Sequence, residues 1–193
     1  MTFTQDEYYQ QTFSRLTLSK EVIEEIEFEE CQFTNCTFID CEFKKCKFLN
    51  CTFTDSLLSA INLSWSTINE MVFNQCKVIG IDWIKTQQIR DLQFINSEIN
   101  YSNFSMLRIP NTKFTDCVAK EVDFTETDLQ GSNFQKTDLE NSIFNKTNLT
   151  KVDLRGAKNY FIDVKNNTIT KAQFSLPEAL SLLQGLNIMI ENS

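Results

Sequence analysis

The chain has 193 residues, enough for one domain with a sizeable core, and 41% of them are apolar. It contains 17 Phe and no His, which removes the commonest general acid/base, the commonest zinc nitrogen ligand and the base of every Ser-His or Cys-His pair. The formal charge is −8, concentrated between residues 21 and 60 where nine acids stand against three lysines; such a chain does not suit direct binding to nucleic acid or to an anionic membrane surface, since both need clustered Lys and Arg.

The first residues, MTFTQDEYYQQTF, carry no basic stretch followed by an apolar run, and nowhere do 18 apolar residues run together. Neither a signal peptide nor a membrane span is predicted. Seven cysteines without an export signal point to reduced thiols in the cytoplasm. Residues 1–25 keep Phe3, Tyr8, Phe13, Leu18 and Ile23 at intervals of five, but the same spacing would turn Asp6, Gln11 and Glu21 inward. This segment is predicted to be an N-terminal cap outside the regular repeat.

From Phe28 to Trp83 every fifth residue is large and apolar, through Phe33, Phe38, Phe43, Phe48, Phe53, Leu58, Leu63, Ile68, Phe73 and Val78. The next slot would be Gln88, so the register slips by one residue near 85–88. It resumes at Ile89 and runs to Leu154, then recovers at Val164, Ile169 and Phe174. Two places before each of these positions lies a column of mostly small residues, and all seven cysteines (Cys31, Cys36, Cys41, Cys46, Cys51, Cys76, Cys117) fall in it. Neither helix nor flat sheet has a period of five; a short extended piece and a corner, repeated in a solenoid, does. The cysteines have C-x4-C spacing without His, point the same way where they stack, and sit at interior positions. That argues against a zinc site, a disulfide ladder and a reactive thiolate, and for structural filler.

The pattern resembles that of pentapeptide-repeat proteins, whose consensus is Ala-(Asp/Asn)-Leu followed by two variable residues. VDFTE, TDLQG, SNFQK, TDLEN, TNLTK and VDLRG, between Val122 and Gly156, carry it most closely. The resemblance implies an all-β fold, a right-handed quadrilateral β-helix with one pentapeptide per side and four per coil. Residues 20 apart would then stack, shifted by one across the slip. One face collects Phe33, Phe53, Phe73, Phe94, Phe114 and Phe134, and the opposite face Phe43, Leu63, Trp83, Phe104, Phe124 and Phe144. Aromatics thus segregate onto two opposed faces whose rings interlock along the axis. Residues 26–174 make about seven coils, a column about 35 Å long.

At the C-terminal end Ser175-Leu176-Pro177-Glu178 reads as a capping box opening an α-helix, with a stripe of Leu176, Ala179, Leu180 and Leu183 that stops at Gly185. Residues 186–190 then alternate like a short strand. Residues 175–193 are therefore predicted to cap the last coil and, through Leu176, Leu180, Leu183, Leu186, Ile188 and Ile190, to pair two chains; a simple lid is the other reading.

No catalytic residue, metal ligand or cofactor site is predicted. One polar column lies just before the inward residues of the second aromatic face: Glu42, Asn62, Asp82, Asn103, Asp123, Ile143, Asp163. A second cluster is Glu27, Glu29 and Glu30, with Glu70, on an adjacent face. Either these acids belong to the repeat and support its corners, or they make an acidic rod resembling duplex DNA. Asp40, Glu42, Lys44, Lys45 and Lys47 face outward, where a partner would meet them. Two stretches, FEECQFTNCTF through CKVIGIDW (Phe28 to Trp83) and NYFIDVKNNTITKAQFSLPEALSLLQGLNI (Asn159 to Ile188), are similar to the gyrase-protecting branch of the family. That branch includes albicidin-resistance, mycobacterial fluoroquinolone-resistance and Qnr proteins. The resemblance implies a non-enzymatic DNA mimic that binds bacterial DNA gyrase, shields it from a poison and dimerises through its C-terminal helix. Because the register leaves no room for the projecting loops of Qnr proteins, a peptide-type poison fits better than a quinolone. A pentapeptide-repeat scaffold with another protein partner and no effect on gyrase is the alternative.

Overall fold

The computed structural model describes residues 3–186 and 188. Three-residue strands recur at intervals of five from Glu7–Tyr9 onward. Every pairing is parallel, as in Phe33↔Phe53 and Leu58↔Val78. The offset grows by one across the slip, giving Ile68↔Ile89 and Phe73↔Phe94, and reverts at Phe94↔Phe114. The strands fall into four ladders of five, six, four and two members. Beyond Lys113–Thr115, the last regular strand, single bridges carry the stacks up to Asp153↔Gln173. The chain is thus an all-β parallel solenoid with four sides. Regular strands supply five or six layers on its two longest sides, fewer than the predicted seven coils, and bridges supply the rest. The extra residue at the slip is taken up by a 3-10 turn at Trp83–Lys85, tied by the Thr86 hydroxyl donating to the Trp83 carbonyl at 2.7 Å.

Most corners, though not the one at the slip where Thr86 has φ −70°, hold one residue in the left-handed region, for instance Asn35 (φ 54°), Asp55 (φ 49°) and Trp65 (φ 60°). Only there does its N–H reach the coil above: Asn35 donates to Thr54 O at 3.0 Å and Asp55 to Asn74 O at 3.1 Å. A left-handed non-glycine costs about 1–2 kcal/mol, yet only Gly80, Gly131 and Gly156 are glycines among these corner residues. The coil-to-coil bonds hold the conformation without glycine, which explains how so many reversals coexist with 4 Gly in the sequence. In the C-terminal half the corner is closed a second time by a turn bond, such as Thr127 N–H to Phe124 O at 3.2 Å.

The small inward slot asks for more than size. The Cys51 thiol donates to Phe28 O at 3.2 Å and the Cys117 thiol to Phe94 O at 3.4 Å, both in the preceding coil. Ser66 does the same to Phe43 O at 2.7 Å while accepting the Cys46 N–H at 2.9 Å. Cys, Ser and Thr recur there because each is a small donor. All seven cysteines are free and buried. Burial pushes the thiols of Cys46 and Cys76 up to about 11 and those of Cys51 and Cys117 up to about 12. The large inward slots interlock as predicted. Phe94–Phe114 and Phe104–Phe124 stack at 5.4 and 5.5 Å, and Phe104 meets Phe114 edge-on at 84°.

Both ends depart from prediction. Residues 7–24 are not an irregular cap; they form four strands in register with the next coil. Asp6, Gln11 and Glu21 can occupy inward slots because no described coil lies beneath them, so all three stay exposed. The actual plug is Phe3, packed edge-on against Tyr8, Phe13 and Phe28. At the other end Glu178–Leu186 is a short 3-10 helix, not an α-helix. The Ser175 hydroxyl, expected to cap that helix, accepts the Gly156 N–H at 2.8 Å and so belongs to the coil. Leu186 is helical and not the start of a strand, and Asn187, Met189 and Ile190 lie outside the described residues.

Two predictions follow from the corners and the slots. Asn35→Gly relieves the left-handed strain and raises Tm by a few degrees, whereas Asn35→Val lowers it, with roughly 1 kcal/mol moving Tm by 2–4 °C in a chain this long; equal Tm values would contradict the role given to the corner. Buried thiols hold their protons to about 11–12 while unfolded ones release them near 9.0. Their contribution is complete below pH 9 and falls as pH rises, by about 1.4 kcal/mol per pH unit per thiol. In urea melts from pH 7 to 10.5, Cys76→Ser flattens the alkaline loss; parallel curves would contradict it.

Candidate protein-binding surface

The ladder geometry brings the predicted acidic column together in two runs, Glu42↔Asn62 and Asp82↔Asn103↔Asp123↔Ile143. The side chains make a chain of contacts along the axis: Asn62 Nδ2 donates to Glu42 Oε1 at 3.4 Å and Asn103 Nδ2 to Asp82 Oδ1 at 3.1 Å. Four members of the column also turn one oxygen back to their own corners, whereas Asp82 makes no such bond. Asn62 accepts the Ser64 N–H at 3.1 Å, Asn103 that of Ser105 at 2.9 Å, Asp123 that of Thr125 at 2.8 Å and Asp163 that of Lys165 at 2.9 Å. The same bond recurs on other faces, at Asp128, Asp138 and Asp153. The column therefore serves the corners first, and its outer carboxylate oxygens are what a partner would meet. Asp82 is met by Lys85 at 3.5 Å, and Ile143, which interrupts the acids, is 52% exposed.

On the adjacent face Glu27, Glu29 and Glu30 lie in one coil, with Glu70 on the Glu30 corner two coils up. The lysines read as free outward contacts are engaged instead. Lys44, Lys45 and Lys47 each reach down one coil to Glu24 (3.0 Å), Glu25 (2.6 Å) and Glu27 (2.7 Å). Parallel stacking puts residues 20 apart side by side, so an acid and a lysine at that spacing pair across coils. Lys45 holds the Glu25 carboxyl below its ordinary range. These are exposed surface pairs that add little to stability, but they remove three charges from the acidic end. Glu29 and Glu30 keep theirs; the Glu30 charge, with Glu29 behind it, raises the neighbouring Tyr9 hydroxyl.

The C-terminal apolar set is largely outward. Leu176 is 75% and Ile188 54% exposed, Leu180 and Leu186 are exposed, Leu183 is half-buried, and Leu182 is the residue that packs against the core. Ile190 lies outside the described residues. Sequence reasoning missed a second apolar group: Trp65 and Met106 occupy left-handed corners, 67% and 74% exposed, with Ile84 beside the slip between them. Their register positions, two after an inward residue, were the available signal, since large apolar residues in corner slots have no place in the core. Among the described residues, no group of Cys, Asp and Glu converges to hold a metal ion, and no helix is long and apolar enough to cross a membrane.

A family model described as the pentapeptide repeat region matches residues 26–104 and 87–174. A sequence search of curated proteins finds no match. Among solved structures, a trypsin-treated variant of QnrB1, a plasmid-mediated fluoroquinolone resistance protein, is 16% identical, with a TM-score of 0.71 over 96% of this chain and 99% of that one. A second trypsin-treated QnrB1 variant gives 18%, 0.57, 94% and 100%, and full-length QnrB1 gives 17%, 0.53, 92% and 100%. At these identities the likeness is one of fold.

The corner role of the column is testable by itself. Asp123→Ala loses the bond to Thr125 and costs about 1 kcal/mol in a denaturant melt, whereas Asp123→Asn keeps the acceptor and costs little. Equal losses would show that the charge, not the turn bond, is what the fold uses.

Proposed function

The chain belongs to the pentapeptide-repeat family, and on that premise we propose that it is a non-enzymatic, DNA-like rod that binds bacterial DNA gyrase and protects it from a topoisomerase poison. The observation that carries this reading is the unbroken four-sided column, alike in fold to a fluoroquinolone resistance protein over 96% of the chain. The alignment of Asp82 and Asp123 two coils apart on one side supports it further. Duplex DNA carries one charge per about 1.7 Å; carboxylates two coils apart are roughly 10 Å apart. Mimicry of this kind rests on shape and on a few placed charges. The free buried thiols accord with a reducing cytoplasm. The outward Leu176, Leu180, Leu186 and Ile188 accord with a homodimer joined at the C-terminal helix.

A supercoiling assay with gyrase, titrating this protein against albicidin and separately against a quinolone, tests the reading. Rescue is expected at micromolar protein, with albicidin first. Asp82→Asn combined with Asp123→Asn keeps the Asp123 corner acceptor and the Asp82 oxygen that Asn103 meets, and is expected to reduce rescue about tenfold at unchanged Tm. Neither rescue nor direct inhibition at micromolar protein would leave a scaffold for another partner as the better reading. In sedimentation, Leu180→Arg is expected to convert a dimer to a monomer; an unchanged mass would place the contact elsewhere.

A further inference from the structure

The two ends of the column are finished differently. After the last coil comes the helix Glu178–Leu186, whose Leu182 packs against the core. At the first coil the strands Glu7–Tyr9, Thr12–Ser14, Thr17–Ser19 and Val22–Glu24 each end their ladder. The second coil shows which groups this leaves over: Glu42 N–H donates down to Glu21 O, so the equivalent Val22 N–H points away from the ladder. Phe3 closes the half of the mouth beneath Tyr8 and Phe13. The other half is a pit of about 450 Å³ floored by Leu18, Ile23 and Ile26, with Asp6, Glu21 and Glu24 at its rim and no basic residue in its lining. Glu24 is met by Lys44; Asp6 and Glu21, in the inward slots of this coil, have no ion-pair partner among the described residues.

We propose that this mouth binds an extended basic segment of another protein, which adds as a parallel strand beneath Val22–Glu24. Sheet edges of this kind accept a strand through main-chain bonds and read its side chains through the pockets beneath. The pattern it reads follows from the coil above, where Glu42, Phe43 and Lys44 stack on Val22, Ile23 and Glu24 and Lys44 reaches Glu24 at 3.0 Å. The mirrored segment places an aliphatic residue under Val22, which is 60% exposed, a second aliphatic residue in the pit under Ile23, and Lys or Arg under Glu24. A further cation near either end of the segment meets Asp6 and Glu21. A second copy of this chain is the poorer occupant, since it would set two acidic mouths against each other. This mouth adjoins Glu42 at the start of the column proposed for gyrase but does not include Asp82 or Asp123, so either reading can fail alone.

The test is fluorescence anisotropy of the full chain with a labelled, acetylated Lys-Thr-Val-Ile-Lys-Ser-Lys peptide, against the same peptide with Glu for Lys. Binding of the basic peptide that weakens with salt, and none of the acidic one, is expected. Val22→Pro removes the outward N–H without touching the ladder above, and Asp6→Lys with Glu21→Lys reverses the rim; each is expected to weaken binding at least tenfold at unchanged Tm. Absence of binding at millimolar peptide, equal binding of both peptides, or binding that survives Val22→Pro would overturn the proposal. So would self-association in sedimentation that Val22→Pro abolishes, which would assign the mouth to a second copy.

Discussion

Each coil is held to the next by main-chain bonds, and one set of them is donated by the left-handed residue that recurs about every fifth position. The N–H of that residue, as at Glu30 to Leu49 O (2.8 Å), is the link from one layer to the layer above. Position along the chain then determines position in space: an inward slot stacks on an inward slot, a corner on a corner. The interior becomes a column of rings and small donors, with Trp83, Phe104 and Phe124 stacked at 5.4 and 5.5 Å. The inward space is filled by the stack itself, with Phe33, Phe53, Trp83 and Phe104 fully buried. Chemistry has to come from outside the column, at its faces, its corners and its two ends.

That separation leaves the outward residues free to be chosen for a partner, but only in part. Asp123 and Asp163 are tied to their corners by one oxygen, and Lys44, Lys45 and Lys47 to glutamates one coil below. What remains for recognition is sparse: the outer oxygens of one column, Glu29 and Glu30, three large apolar residues near the slip, and the apolar C-terminal helix. On a rod with so few unspent charges, any partner that favours it electrostatically reads shape first and a few placed carboxylates second.

Much of the fold was legible because a period of five admits few structures. The inward residues, the slip near Lys85 and the segregation of aromatics could all be counted off. The ends were not legible, because the rule that selects inward residues fails where a coil has only one neighbour. Asp6 and Glu21 looked disqualifying in a buried slot and are unobjectionable in an open one. Ser175 read as a helix cap by its spacing to Glu178, yet its hydroxyl went to Gly156, a partner 19 residues back that no local pattern reveals. On the surface the acidic column was found from spacing, while Trp65 and Met106 were passed over. Charge repeats along a column and can be counted, whereas an apolar residue in a corner slot is an isolated departure from the repeat.

Competition with duplex DNA for gyrase tests the proposed mimicry. Gyrase is first loaded with a fluorescent duplex about as long as the column, and the protein is then titrated in at several salt concentrations. Displacement of the duplex is expected at micromolar protein, weakening as salt rises, with the Asp82→Asn, Asp123→Asn double variant needing a higher concentration. A ternary complex in which gyrase holds both the duplex and this protein would contradict it.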